Sequence, residues 1–116
     1  MPGAISVAFV VPCLDRPDFA LRCVRYYKQF DLPITIYVGD SCKDETNSKN
    51  LQRKLLALNA GNIRYYRYVS GSAFETFYHL LDRVEEQYCV YLEDDNYVVP
   101  EAAIECANFL ANGFEG

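Results

Sequence analysis

The sequence holds one histidine, His79, and no two of its cysteines stand in a C-x-x-C pair. Neither a zinc motif nor a dithiol redox motif is therefore visible along the chain. Cations are scarce too: 11 Lys and Arg stand against 16 Asp and Glu, a formal net charge of −5. That balance excludes a general nucleic-acid coat protein, because phosphate binding needs clustered positive charge. No apolar run approaches the ~18 residues of a membrane span. The apolar opening at residues 4–11 has no basic residues before it and runs into Pro12 and the charged pair Asp15-Arg16, so it reads as a strand rather than a signal peptide. The phosphate loops G-x-G-x-x-G and G-x-x-x-x-G-K-[ST] are missing, as is the G-x-S-x-G elbow. Internal repeats, low-complexity tracts and linker composition are absent.

What remains is globular composition, 51% hydrophobic and 23% charged over 116 residues. A chain of this length buries roughly two thirds of its unfolded surface, enough for one core. The expectation is a single domain spanning 1–116. Five cysteines, at 13, 23, 42, 89 and 106, make an odd number. They read as reduced, mostly buried thiols of a soluble, cytoplasmic protein.

Strand and helix patterns alternate four times. Residues 5–11 are β-branched and apolar on both faces, which suits a central strand covered on both sides. Asp15-Arg16-Pro17-Asp18 opens a helix in which Phe19, Cys23, Tyr27 and Phe30 recur at helical spacing, with Arg22, Arg25 and Lys28 largely opposite. Residues 34–38 form a second strand, stopped by Gly39-Asp40-Ser41. The polar stretch 43–50 leads to a helix carrying Leu51, Leu55 and Leu58, with Gly61 as the expected left-handed residue after it. Residues 63–69 form a third, tyrosine-rich strand. Ser72-x-x-Glu75 is a capping box before a helix whose expected apolar face is Phe74, Phe77, Tyr78, Leu81 and Val84. Residues 88–92 form the fourth strand and run into Glu93-Asp94-Asp95-Asn96. Pro100 opens a last helix, 101–111. Such alternation predicts an α/β fold, a parallel sheet with helices on both faces.

Ligands of open parallel sheets bind outside the carboxyl ends of the strands. Three of the four strand exits carry acids: Asp15 after the first, Asp40 after the second, Glu93-Asp94-Asp95 after the fourth. Asp15 suits either a helix cap or a functional role, and Asp40 either turn chemistry or a ligand contact. Three adjacent acids repel one another unless a cation, a base or a hydrogen bond relieves them. Hard oxygen donors of this kind suit Mg²⁺ or Mn²⁺ bridging to substrate phosphates. Cys13 has no histidine partner in view and reads as structural, and His79 as a surface or half-buried helix residue. The repeated Arg-Tyr-Tyr at 25–27 and 64–66 falls on a helix and a strand, so it reads as packing rather than as one nucleic-acid platform.

These motifs resemble those of family 2 glycosyltransferases. Val-Val-Pro-Cys-Leu-Asp-Arg-Pro at 10–17 resembles the family's first strand-to-helix turn, often Pro-Thr-Tyr-Asn-Arg-Pro. Ile-Tyr-Val-Gly-Asp-Ser at 36–41 resembles its second-strand signature, and Tyr-Leu-Glu-Asp-Asp-Asn at 91–96 its aspartate motif. The resemblance runs over almost the whole chain, with Leu14, Asp15 and Glu93 departing from the commoner residues. It implies a three-layer αβα fold of the A-type, nucleotide-diphospho-sugar transferase kind, with a mainly parallel four-stranded sheet in the order 3-2-1-4. At ~4.8 Å per strand, the exits of the second and fourth strands would lie about 10 Å apart.

The resemblance further implies a nucleoside-diphosphate sugar as partner, a UDP-sugar or similar. Pro12, Asp15, Arg16, Asp40, Ser41 and Asp94 would contact it, and Asp95 would hold Mn²⁺ or Mg²⁺ as cofactor. The family's acceptor-binding half and general base lie downstream of these motifs, so the chain reads as the N-terminal, donor-binding half, truncated and not competent for transfer alone. A non-catalytic nucleotide-binding or protein-interaction α/β module is the alternative. A receiver-type domain fits less well, because its acidic pair follows the first strand. A half-fold would leave the fourth strand as a pairable edge and favour a homo-oligomer.

Overall fold

A computed structural model of the chain describes residues 6–30, 33–58, 61–69, 71–92 and 100–111. Eight elements follow one another as β1 (Val7–Cys13), α1 (Pro17–Lys28), β2 (Ile34–Asp40), α2 (Glu45–Ala57), β3 (Ile63–Arg67), α3 (Ala73–Leu81), β4 (Tyr88–Tyr91) and α4 (Pro100–Ala111). The strands form one parallel sheet in the order β3-β2-β1-β4. Both the α/β class and the strand order expected from the motifs are therefore present.

β1 is buried along its whole length because it lies between two neighbours and two helical layers. Its odd-numbered residues Val7, Phe9, Val11 and Cys13 share a core with α1, α2 and α4, and its even-numbered Ala8 and Val10 pack with Tyr37 and Leu80 of α3. Pro12 sits inside the strand rather than beyond it. The Cys13 carbonyl accepts from Ser41 N–H on the β2 side and the Val10 carbonyl from Leu92 N–H on the β4 side. Pro12 therefore faces the β4 side, where the pairing ends at Val10↔Tyr91, and its missing N–H costs no ladder bond there.

Several boundaries differ from the sequence pattern for local reasons. α2 begins within the polar stretch, because the Asp44 side chain caps it by accepting from Thr46 N–H at 2.8 Å. Gly61 is not in the left-handed region. On α1 the buried face is Ala20, Leu21, Cys23, Val24 and Tyr27, with Arg22, Arg25 and Lys28 exposed as expected. Phe19 is half-buried between the guanidinium groups of Arg16 and Arg22, and Phe30 lies past the helix end against Tyr26.

α3 departs most. Ser72 caps it as the box predicts, accepting from Glu75 N–H at 3.1 Å. Of the expected face, Phe77 and Val84 pack partly buried against the core, but the helix's fully buried residues are Thr76 and Leu80, while Phe74 and Tyr78 are each 68% exposed and Leu81 points outward as well. The reason is a close approach at Gly39, where a Cβ would stand 2.5 Å from Leu80 Cδ1 and 2.6 Å from Thr76 Cγ2. The turn after α3 is held by Tyr37, whose hydroxyl donates to Glu86 Oε1 at 2.8 Å and accepts from Glu85 N–H at 3.4 Å.

Candidate functional site at the strand exits

The register of the sheet builds the site. Cys13 of β1 pairs with Asp40 of β2, and Asp40 pairs with Arg67 of β3, so three chemically active side chains form one row across the carboxyl rim. One row below, Val11, Val38 and Tyr65 are aligned in the same way. Alternation along the strands puts these rows on the face covered by α1 and α2.

Asp40 is fully buried. Its Oδ1 accepts from Cys42 N–H at 3.0 Å and its Oδ2 from the Tyr65 hydroxyl. Burial first, then the bond to Asp40 and its charge, push the Tyr65 hydroxyl up, with Arg67 opposing, so the phenol keeps its proton and remains a donor. Arg67 Nη2 donates to the Cys42 carbonyl at 2.9 Å, and Nη1 lies 3.9 Å from Glu45. Burial, assisted by Asp40 and Cys13, also raises the Cys42 thiol, which therefore stays protonated. The Cys13 and Cys42 Sγ atoms are 3.8 Å apart. None of the five cysteines is in a disulfide; Cys13, Cys23 and Cys42 are buried, Cys89 and Cys106 exposed.

Ser41, also fully buried, stitches the rim together. Its hydroxyl bonds to the Tyr68 carbonyl and to the Thr76 hydroxyl of α3. Asp15 does not cap α1, whose N-cap position is Arg16 with no side-chain capping bond to the first turn. It adopts φ 59, a left-handed conformation that Asp tolerates better than most residues, and Oδ1 accepts from Lys43 N–H at 2.9 Å. The turn after β1 is thus tied to the loop after β2. Beside the rim, a cleft of ≈ 330 Å³ opens between α2 and β3, lined by Glu45, Ser48, Lys49, Gln52, Tyr65 and Arg67.

Of the residues singled out in the sequence, Pro12, Asp15, Arg16, Asp40 and Ser41 are brought to this one rim. Asp15 and Arg16 are exposed, whereas Pro12, Asp40 and Ser41 are buried. Asp94 and Asp95, with Glu93, lie outside the described residues. The sequence reading missed the Cys13–Cys42 approach, Tyr65 as partner of Asp40, and Thr76 as partner of Ser41. Only the register and the docking of α3 create these contacts. His79 is half-buried and stacks on Tyr68 at 3.9 Å, which agrees with its reading as a surface or half-buried helix residue. Tyr65 and Tyr66 point to opposite faces of the sheet and Tyr27 is in the core, so the Arg-Tyr-Tyr copies form no shared platform.

Among solved structures, a crystal structure of S. aureus TarS, residues 1–349, matches with a TM-score of 0.73 at 19% identity. The match covers 93% of this chain and 33% of that one, so the chain spans about a third of the structure it matches. TarS is a family 2 glycosyltransferase of the A-type fold. This chain has that fold. No family model matches the sequence, and no curated protein matches it significantly. Among the described residues, no helix is long and apolar enough to cross a membrane.

The A-type fold raises the question of a divalent metal. Among the described residues, the one group of three side chains with ligand geometry is Cys13, Asp40 and Cys42. Two of its three donors are sulfur, so it does not fit Mg²⁺ or Mn²⁺, which take oxygen ligands.

Proposed function

We propose that the chain is the donor-binding part of a glycosyltransferase, holding a nucleoside-diphosphate sugar at the carboxyl rim of its sheet. The observation that carries the reading is the order β3-β2-β1-β4, in which strand order reverses between β1 and β4, together with the Asp15–Lys43 bond, which ties the exits of β1 and β2 into one rim beside that point. Asp15 and Arg16 are exposed on this rim and are assigned to the ligand. Pro12 and Ser41 shape the rim beneath them, and Asp40, held by Tyr65 and Cys42, is assigned to the base or ribose. The fourth strand leads to Asp94, assigned to the ribose or sugar, and to Asp95, assigned to Mn²⁺ or Mg²⁺. Such a metal would neutralise charge on the nucleoside diphosphate.

Titration calorimetry with a panel of nucleoside diphosphates and Mn²⁺ tests the proposal. The expected result is metal-dependent binding that Asp95→Ala abolishes and Asp15→Ala weakens. Absence of binding across the panel overturns it. The exposed Phe74, Tyr78 and Leu81 of α3 favour a second reading, an α/β module that binds another protein without turnover. Lack of nucleotide binding together with a protein complex broken by Tyr78→Ser would select that reading. β4 also ends the sheet among the described residues, and pairing of two copies there predicts a dimer by light scattering.

A further inference from the structure

We propose that Cys13, Asp40 and Cys42 form a binding site for one zinc-like divalent ion, joining the exits of β1 and β2. The two Sγ atoms and a carboxylate oxygen all lie within 4.8 Å of one another, and all three residues are buried. The Sγ···Sγ distance is 3.8 Å. Two Zn–S bonds of ~2.3 Å meeting at a tetrahedral angle put their sulfurs about 3.8 Å apart, so the pair stands at ligand spacing without rearrangement. Thiolates with one carboxylate select a borderline or soft ion over Mg²⁺ or Mn²⁺.

Asp40 can ligate without losing its backbone and phenol partners. An ionised carboxylate offers about four lone-pair sites; among the described residues the Cys42 N–H and the Tyr65 hydroxyl take two of them, and the Cys42 thiol, a further partner, would give up its proton on binding the ion. Those bonds fix its orientation, as hydrogen bonds to metal-bound carboxylates do. Three protein ligands leave a fourth tetrahedral position for water or a donor atom of a ligand. Binding exchanges two thiol protons, released to solvent, for the ion, so the divalent charge meets two thiolates and one carboxylate. The site shares Asp40 with the nucleotide reading, but the two are told apart by their tests: nucleotide binding is read on Asp95→Ala, and metal binding on the thiolates of Cys13 and Cys42.

The test uses the full chain, reduced with a phosphine, titrated with Co²⁺ and then with Zn²⁺. One equivalent of Co²⁺ should give a thiolate-to-metal charge-transfer band with intense tetrahedral d–d absorption, bleached by one equivalent of Zn²⁺. Cys13→Ser or Cys42→Ser should each weaken binding by at least about 100-fold, and Tyr65→Phe, which removes a bond to Asp40 but no ligand, by about 10–100-fold. The double variant Cys89→Ser, Cys106→Ser, which removes the two exposed thiols, should keep the band. Cadmium NMR of the unaltered chain gives a readout that needs no variant, and a shift typical of two sulfur ligands is expected. The proposal is overturned by a missing charge-transfer band, by its loss in the Cys89/Cys106 variant, by an oxygen-only cadmium shift, or by a Cys13–Cys42 disulfide in the isolated protein.

Discussion

On one face of the sheet Phe9, Ile36 and Val38 are covered by α1, α2 and α4, whereas the other face offers Ala8, Val10 and Tyr37 to α3. The first face is a thick core with wide, interleaved side chains. The second is a thin seam in which a glycine lets a helix come close, so few atoms are buried for each residue ordered. This difference explains why an apparently amphipathic α3 carries phenylalanine and tyrosine on its outside. Thr76 and Leu80 stand directly against Gly39, with Phe77, Val84 and Tyr66 partly buried beside them.

The largest effect is expected on the thick face. Phe9 is fully buried and meets Tyr27 edge-on at 4.9 Å, so Phe9→Ala should cost about 3–5 kcal/mol in denaturant unfolding. A cost near zero would mean that the two faces are packed alike. On the thin face Gly39→Ala should cost about 1–3 kcal/mol by overpacking. Combining it with Leu80→Ala should be markedly less than additive, because the same contact is relieved. Full additivity would refute the close approach as the cause.

A smaller effect is a pH dependence carried by the thin face. Burial raises the Glu86 carboxyl, but bonds from Tyr37 and Thr35 outweigh it, and the net position is below the ordinary 4.5. The unfolded chain therefore binds the proton more readily, and the stabilisation is present above that value and lost as pH falls through the folded one. Glu86→Gln should flatten the acid limb of stability against pH; an unchanged limb would place the titrating group elsewhere. The smallest effect is expected on the exposed face of α3, where Phe74→Ser should alter stability by no more than about 0.5 kcal/mol in thermal or denaturant melts. A loss comparable to that of Phe9→Ala would show that this surface is covered in the folded protein.

Much of the fold could be read along the chain. Element type and order followed from the β-branched run of β1, the capping box of α3 and the leucines of α2, because each signal is local. Helix faces were legible only where the sheet beneath them is deep. α1 buried the expected Cys23 and Tyr27, whereas α3 buried a threonine in preference to Phe74, since the space was decided by Gly39 on another strand. The candidate rim was half legible for the same reason. Asp15 and Asp40 were found by their place after apolar strands, and the Asp40 bond to Cys42 N–H two residues on is the turn chemistry expected there, yet nothing local indicates that Tyr65 would enclose it.

By itself the sequence determined the alternation of strands and helices, the burial of β1 and the gathering of polar residues at strand exits, all set by patterns within about ten residues. Tertiary structure alone decided which exit residues meet. Cys13 and Cys42 are 29 positions apart and come within 3.8 Å because parallel strands in register align their carboxyl ends. Hydrophobic periodicity specifies a face, whereas register specifies a neighbour, and register belongs to the assembled sheet.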